Sequence, residues 1–321
     1  MTLSKIELIS QLKKKKKKVT QLYWQVYLNL EKEFIDLTDA IHVNDRQQSV
    51  YSMKIADLII RTVIEIEALS KELYLANGGP VVPDEDMYFD TVCMAYLDRL
   101  WNLDMKVVLV VSPTIFFEKE ENTILRPLHK AQKRGTSSAD WNKAYQALKH
   151  NRVKELSKGC IKNLLHGLAA LYVLNLYYAD KSIMNISSKD KTSINYSFGS
   201  SLFAVKVHIG DGIKADGIYQ KRADYDECVY IEDYESKSKQ KALEAVAAMD
   251  DYVERNTSSE LERLVQEKEL RGETVTEEWL IEERNKLFNK IFPIKDYKLG
   301  KKIQDGLSGL HYDIVLNKNQ H

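Results

Sequence analysis

From Trp141 to Ala179 the chain reads WNKAYQALKHNRVKELSKGCIKNLLHGLAALYVLNLYYA, a polar, basic turn fused to a long apolar helix. A helix apolar on nearly every side must be buried nearly all round, so the remaining chain has to wrap it with other amphipathic elements. The basic turn sets Lys149, His150 and Arg152 at one end of that element, where a fold can hold cations still. The apolar half approaches membrane-spanning length, yet Lys162, Asn163, His166 and Asn175 interrupt it, so it reads as a buried core helix with no membrane partner.

Around this element the first half of the chain reads as helical. Tyr23, Val26, Leu30, Phe34, Leu37 and Ile41 recur at the three- and four-residue steps of one helix face. A second helix is expected from Ser49, as its N-cap, to the stop at Asn77-Gly78-Gly79-Pro80. A third is expected from Asp86 to Leu103, then a short β-branched segment from Val107 to Val111 and a long polar loop from Glu118 to Ser138. Ser138 is placed to cap the Trp141 helix, which is expected to run unbroken to near Asp180.

After a linker-like polar stretch over 185–193 the character changes. Ser201–Ile209 and Cys228–Glu235 read as strands, with Gly210-Asp211-Gly212 as a turn between them. Helices are expected from Lys239 to Glu254, from Ser258 to Arg271 and from Thr276 to Ile291, and a closing strand from His311 to Leu316. The fold class is therefore mainly α: a helical bundle over 1–185, followed by a small α/β unit over 190–321 with a short sheet and charged helices.

Lys plus Arg and Asp plus Glu both number 47 in the 321 residues, so no global field drives the chain onto nucleic acid or membrane and any such binding is local. Cys93, Cys160 and Cys228 are far apart and lack the paired spacing of a zinc or redox motif. That usage fits a reducing compartment, and the start of the chain carries no apolar signal core, so a cytoplasmic location is expected.

Trp141, Tyr145 and the run Leu148-Lys149-His150-Asn151-Arg152 leading into an apolar helix resemble the final helical region of HEPN-like proteins of bacterial toxin and phage-defence systems. Arg61–Tyr74, RTVIEIEALSKELY, is similar to the second helix of such chains. The resemblance covers about the first 185 residues. It implies a helical bundle, often a homodimer, that in active members cleaves RNA without a metal or other cofactor. Residues His150, Arg152 and Lys149 would then form the site, supported by Arg61, Glu65 and Glu67. The active HEPN motif sets an Arg before a His with four to six residues between them, and this chain has no pair so spaced; Arg126 and His129 are closer, Arg134 and His150 are farther apart, and in the Lys149–Arg152 run the order is reversed. Metal-free cleavage needs a group to take the 2′-hydroxyl proton and a cation for the phosphorane, and order in sequence is not geometry. The competing reading makes His150 and Arg152 structural, holding a carboxylate such as Glu65 or Glu67.

Three further features carry expectations. Asp216, Glu235 and Lys237 resemble the PD-(D/E)xK nuclease pattern, in which two carboxylates hold Mg²⁺ and a Lys orients water, with Ala215 in place of the motif's Pro. That reading needs Glu235 and Lys237 on one face of a strand; otherwise these are edge charges of a small sheet. Lys13, Lys14, Lys15, Lys16, Lys17 and Lys18 point all round a helix, so they read either as a solvated arm or as a contact for a nucleic-acid backbone. Finally, the charged helices over 258–291 read as a surface for a protein partner in a non-catalytic scaffold.

Overall fold

The structure is a computed structural model that describes residues 5–179, 183–187, 195–210 and 219–321, with backbone alone for 5–21 and 183–187. Helix α1 (Lys5–Thr38) buries Tyr27, Leu30 and Phe34 on one face. A two-residue strand β1 (Val43–Asn44) follows, and α2 (Met53–Ala76) then buries Ile55, Leu58, Ile59, Thr62, Val63, Ile66, Leu69 and Leu73 along one stripe. Its N-cap is Ser52, not Ser49: the Ser52 hydroxyl accepts from the Ile55 N–H at 3.1 Å.

The third predicted helix is shorter and less regular. Phe89–Met94 forms a π-helical turn that runs into α3 (Ala95–Trp101), and left-handed Asn102, φ 52°, ends it. Three strands and a helical turn come next: β2 (Val108–Val110), β3 (Ile115–Phe116), α4 (Glu120–Thr123) and β4 (Ile124–Leu125), so the expected loop over 118–138 is partly ordered into regular elements.

The Trp141 segment is two helices rather than one. Helix α5 (Asp140–Glu155) gives way to a 3-10 turn at Leu156–Lys158, and α6 (Ile161–Ala179) starts afresh beyond it. Close approach to α2 marks the break: a Cβ on Gly159 would stand 2.7 Å from the Ala56 Cβ, and the Ile161 N–H donates to the Val50 carbonyl instead of continuing a helix. Ser138 does not cap α5; its hydroxyl accepts from the Asn142 amide at 2.8 Å, while Ala139 occupies the cap position. Trp141, buried, fixes the start of α5 by donating its indole N–H to the Pro127 carbonyl at 2.8 Å. As its sequence demands, α6 is buried on nearly all sides from Leu164 to Tyr177, packed between α1 and α2. None of the described helices is long and apolar enough to cross a membrane.

The remaining elements are β5 (Ile183–Ser187), β6 (Phe203–Val205), β7 (Val207–His208), β8 (Tyr230–Tyr234), α7 (Ser236–Leu270), α8 (Glu277–Ile291), α9 (Tyr297–Leu307) and β9 (His311–Leu316). Strands β4, β2 and β6 form one antiparallel sheet; β5, β9, β8 and β7 form another, in which only β7 and β8 run parallel. The buried apolar core continues past residue 185, since Phe203, Val229, Tyr230 and Ile314 belong to the same cluster as Tyr27 and Tyr172. Glu31 of α1 ties the two stretches together, accepting from the Tyr27 and Ser200 hydroxyls and from the Ser201 and Leu202 N–H groups.

The helices expected over 239–254 and 258–271 are one continuous helix, α7. Asn256, Thr257 and Ser258 look like breakers in sequence, but each hydrogen-bonds the carbonyl four residues back and stays helical. Helix α8 starts at its expected Thr276 cap, whereas α9 had no sequence expectation; its Gly306 leaves room for Ala245 of α7. The described helices outweigh the small sheets, so the chain is mainly α. Of the Gly210-Asp211-Gly212 turn, Asp211 and Gly212 lie outside the described residues, as do 188–193 of the polar stretch.

Candidate functional site

The basic turn sits where α5 kinks. Asn151 leaves the helical region, at φ −152° and ψ 60°, so Lys149 and His150 end one helical stretch and Arg152 begins the next. Lys149 and His150 are exposed and Arg152 is partly so. Arg152 pairs with Asp57 of α2 at 2.8 Å, and both side chains remain open to water, at 38% and 56%. The expected carboxylate was Glu65 or Glu67; past the kink Arg152 reaches the earlier part of α2 instead. Lys149 lies 5.3 Å from the centre of the Tyr145 ring.

The three supporting residues divide. Arg61 makes a two-toothed pair with Glu33 of α1, both contacts 2.8 Å, and also feels Asp57, the carboxylate that Arg152 binds. The Glu65 carboxyl is pushed up by burial and pulled down by Arg61. Glu67 meets Lys149 of the turn: burial pushes its carboxyl up, while Lys149 and a hydrogen bond from Tyr145 pull it back.

Glu67 and Lys149 also open onto a cleft of about 720 Å³ between α2, the π-helical turn, the 134–138 loop and α5. Met87, Tyr88 and Phe89 form its apolar side, and Lys71, Arg134, Lys143 and Lys149 supply four cations against the carboxylates of Glu67 and Asp90. Arg134 is held in place. Its Nε and Nη2 donate to the buried Asp90 carboxylate at 3.1 and 2.7 Å, and its guanidinium lies 3.9 Å over the Tyr88 ring. Asn142, buried at the cleft, gives its amide N–H to Ser138, while its Oδ1 has no donor among the described residues. Sequence reasoning missed Asp90 and Arg134 because 44 positions separate them and neither lies in a motif.

A second cleft, of about 690 Å³, gathers Arg126, His129, His166, Lys206 and Glu227. His129 is oriented by Asp104 at 2.9 Å, and burial holds His166 down to about 4. Arg126 and Lys206 both close on Glu227, at 2.7 and 3.2 Å. With Glu120 and Glu121 at its edge the lining holds three carboxylates against two permanent cations, which makes it a poorer seat for a phosphate than the first cleft.

The nuclease constellation does not assemble as expected. Strand β8 ends at Tyr234; Glu235 is the N-cap of α7 and Lys237 lies in its first turn, so the two do not share a strand face. A hydrogen bond from the Glu235 N–H to the His311 carbonyl marks the turn out of the sheet. Asp216 lies outside the described residues, and among those described no group of three or more His, Cys, Asp or Glu side chains is placed to hold a metal ion. The run Lys13–Lys18 falls within α1, but its side chains lie outside the described ones. Over 258–291 the charges pair along their own helices, Arg263 with Glu260 and Glu267, and Lys286 with Glu282 and Glu283. The three cysteines are free. Compared with known proteins, the chain matches no family model, no curated protein and no solved structure.

Proposed function

We propose that this chain is a prokaryotic defence or toxin-type effector, HEPN-like in its first 185 residues, that engages RNA through Lys149, His150 and Arg152. The observation that supports this reading is that the core does not consume these three side chains. They stand at a kink, and the Arg152 pair with Asp57 is open to water on both sides. Such a pair is worth about 0–1 kcal/mol, so a phosphate can replace Asp57 at little cost. His150 is then the group that takes the 2′-hydroxyl proton, and the Arg152 fork the one that faces the developing phosphorane. Val153, 94% exposed beside these residues, is an apolar contact available to a second copy, in keeping with a homodimeric site.

The test is cleavage of single-stranded RNA in EDTA by the full chain, alongside His150→Ala and Arg152→Lys. Wild type should cut and both variants should lose at least about a hundredfold in rate, the lower range for removing a general acid or base. Equal cleavage by wild type and both variants, or no RNA binding by wild type, refutes the proposal.

A further inference from the structure

We infer that Asp57 and Glu67 of α2 form an autoinhibitory latch on the basic turn, Asp57 closing on Arg152 and Glu67 on Lys149, so that the two permanent cations stay engaged until an anionic strand displaces the carboxylates. What the latch restrains rests on the RNA reading of Lys149, His150 and Arg152; its closure does not.

The kink is what makes the grip possible. Asp57 and Glu67 stand about 15 Å apart along α2, whereas Lys149 and Arg152 in an unbroken helix would rise only about 4.5 Å apart. Asn151, at φ −152° and ψ 60°, breaks α5 between the two cations, and their long side chains cover the rest. At one end Arg152 Nη1 donates to Asp57 Oδ1 at 2.8 Å. At the other the hydroxyl of buried Tyr145 gives a hydrogen bond to Glu67 and takes one from Lys149, so carboxylate and ammonium are joined through one phenol. His150, exposed between the two cations in the chain, is left open.

Helix α2 is also built to let go. Each latch carboxylate has a cation of its own helix four residues on, Arg61 after Asp57 and Lys71 after Glu67, and each cation acts on its carboxylate. An acidic residue four positions before a basic one is the favourable order along a helix. When the turn leaves, neither carboxylate is stranded, because Asp57 keeps Arg61 nearby and Glu67 keeps Lys71. The Asp57–Arg152 grip faces water on both sides, so exchange for a phosphate is cheap.

Asp57→Asn, Glu67→Gln and the double variant of the full chain test the latch by two readouts. Without RNA, phenylglyoxal labelling of Arg152 should speed up about twofold to fivefold in Asp57→Asn, and acetylation of Lys149 likewise in Glu67→Gln. The exposed Arg126 and Lys158 serve as unchanged controls, all read by peptide mass spectrometry. With single-stranded RNA in EDTA, kcat/KM should rise about twofold to fivefold in each single variant and about tenfold in the double. Unchanged labelling of both residues overturns the latch whatever the cleavage result. Faster labelling with cleavage that falls or stays level overturns its inhibitory role, since carboxylates that merely pin α5 in its working position lose activity when removed. Faster labelling in a chain that neither binds nor cuts RNA upholds the latch and refutes the RNA reading, which keeps the two failures apart.

Discussion

Replacing Glu31 with Ala tests how the stretch after residue 195 is fastened to the helical core. The Glu31 carboxylate lies inside the molecule and accepts from the Tyr27 hydroxyl at 2.6 Å, from the Ser200 hydroxyl, and from the Ser201 and Leu202 N–H groups at 3.1 and 3.2 Å. Removing it does not orphan all four donors. Tyr27 and Ser200 retain each other at 2.8 Å, and the Leu202 N–H retains the Ser200 hydroxyl oxygen at 3.1 Å. The Ser201 N–H loses its acceptor, at about 1–3 kcal/mol, and the truncation opens a void worth about 1–2 kcal/mol more. The net loss should be about 2–5 kcal/mol. Glu31→Gln separates polar from steric effects, because Oε1 receives a bond from each of the four donors while Oε2 receives only a second contact from Ser201. An amide oxygen at the Oε1 position preserves most of the set, so this change should cost about 1–2 kcal/mol. Urea titrations followed by circular dichroism measure both, and amide exchange over 200–205 should accelerate in the Ala variant well before global unfolding. A loss below about 1 kcal/mol for Glu31→Ala, or equal losses for Ala and Gln, would refute the anchoring argument.

Three other perturbations have defined outcomes. Arg152→Ala should change stability by less than about 1 kcal/mol, because its pair with Asp57 is open to water; a larger drop in melting temperature would assign Arg152 a structural role. Lys106 is fully buried, its ammonium donating to the Asp226 carbonyl at 3.0 Å, and burial pulls its pKa down from 10.5 to about 8. Between about 8 and 10.5 the unfolded chain therefore binds more protons at this site than the folded one, so this residue makes stability rise with pH across that window. Lys106→Met should flatten that rise, measured as the wild-type minus variant difference in urea midpoints from pH 7 to 10; a pH-independent difference would count against it. Gly159→Ala should destabilise by about 1–3 kcal/mol, since the new Cβ stands 2.7 Å from Ala56; an unchanged melting temperature would show that α2 and the start of α6 separate freely.

The two clefts and the anchored carboxylate were not legible in the sequence. Asp90 and Arg134, or Glu31 and Ser200, become partners only when elements distant in the chain pack together, and no spacing rule links them. The predicted kinship of Glu235 and Lys237 failed for a local reason: β8 ends one residue earlier than expected, and a helix then replaces the strand's alternation.

Periodicity is a property of single elements, so the sequence alone was sufficient for the buried face of α1, the stripe of α2, the enclosure of α6 and the Thr276 start of α8. It was also sufficient for the mainly helical class and for the basic character of the turn at Lys149–Arg152. Tertiary structure alone decided that the Trp141 segment breaks at Gly159, because the break answers to Ala56 on another helix. It likewise decided that α7 runs unbroken through Asn256–Ser258, where side chains that suit a turn found carbonyls one helical turn back. Whether Arg152 meets a buried or an exposed carboxylate was settled the same way, since burial and partner choice depend on which surfaces meet, and a linear chain does not carry that information locally.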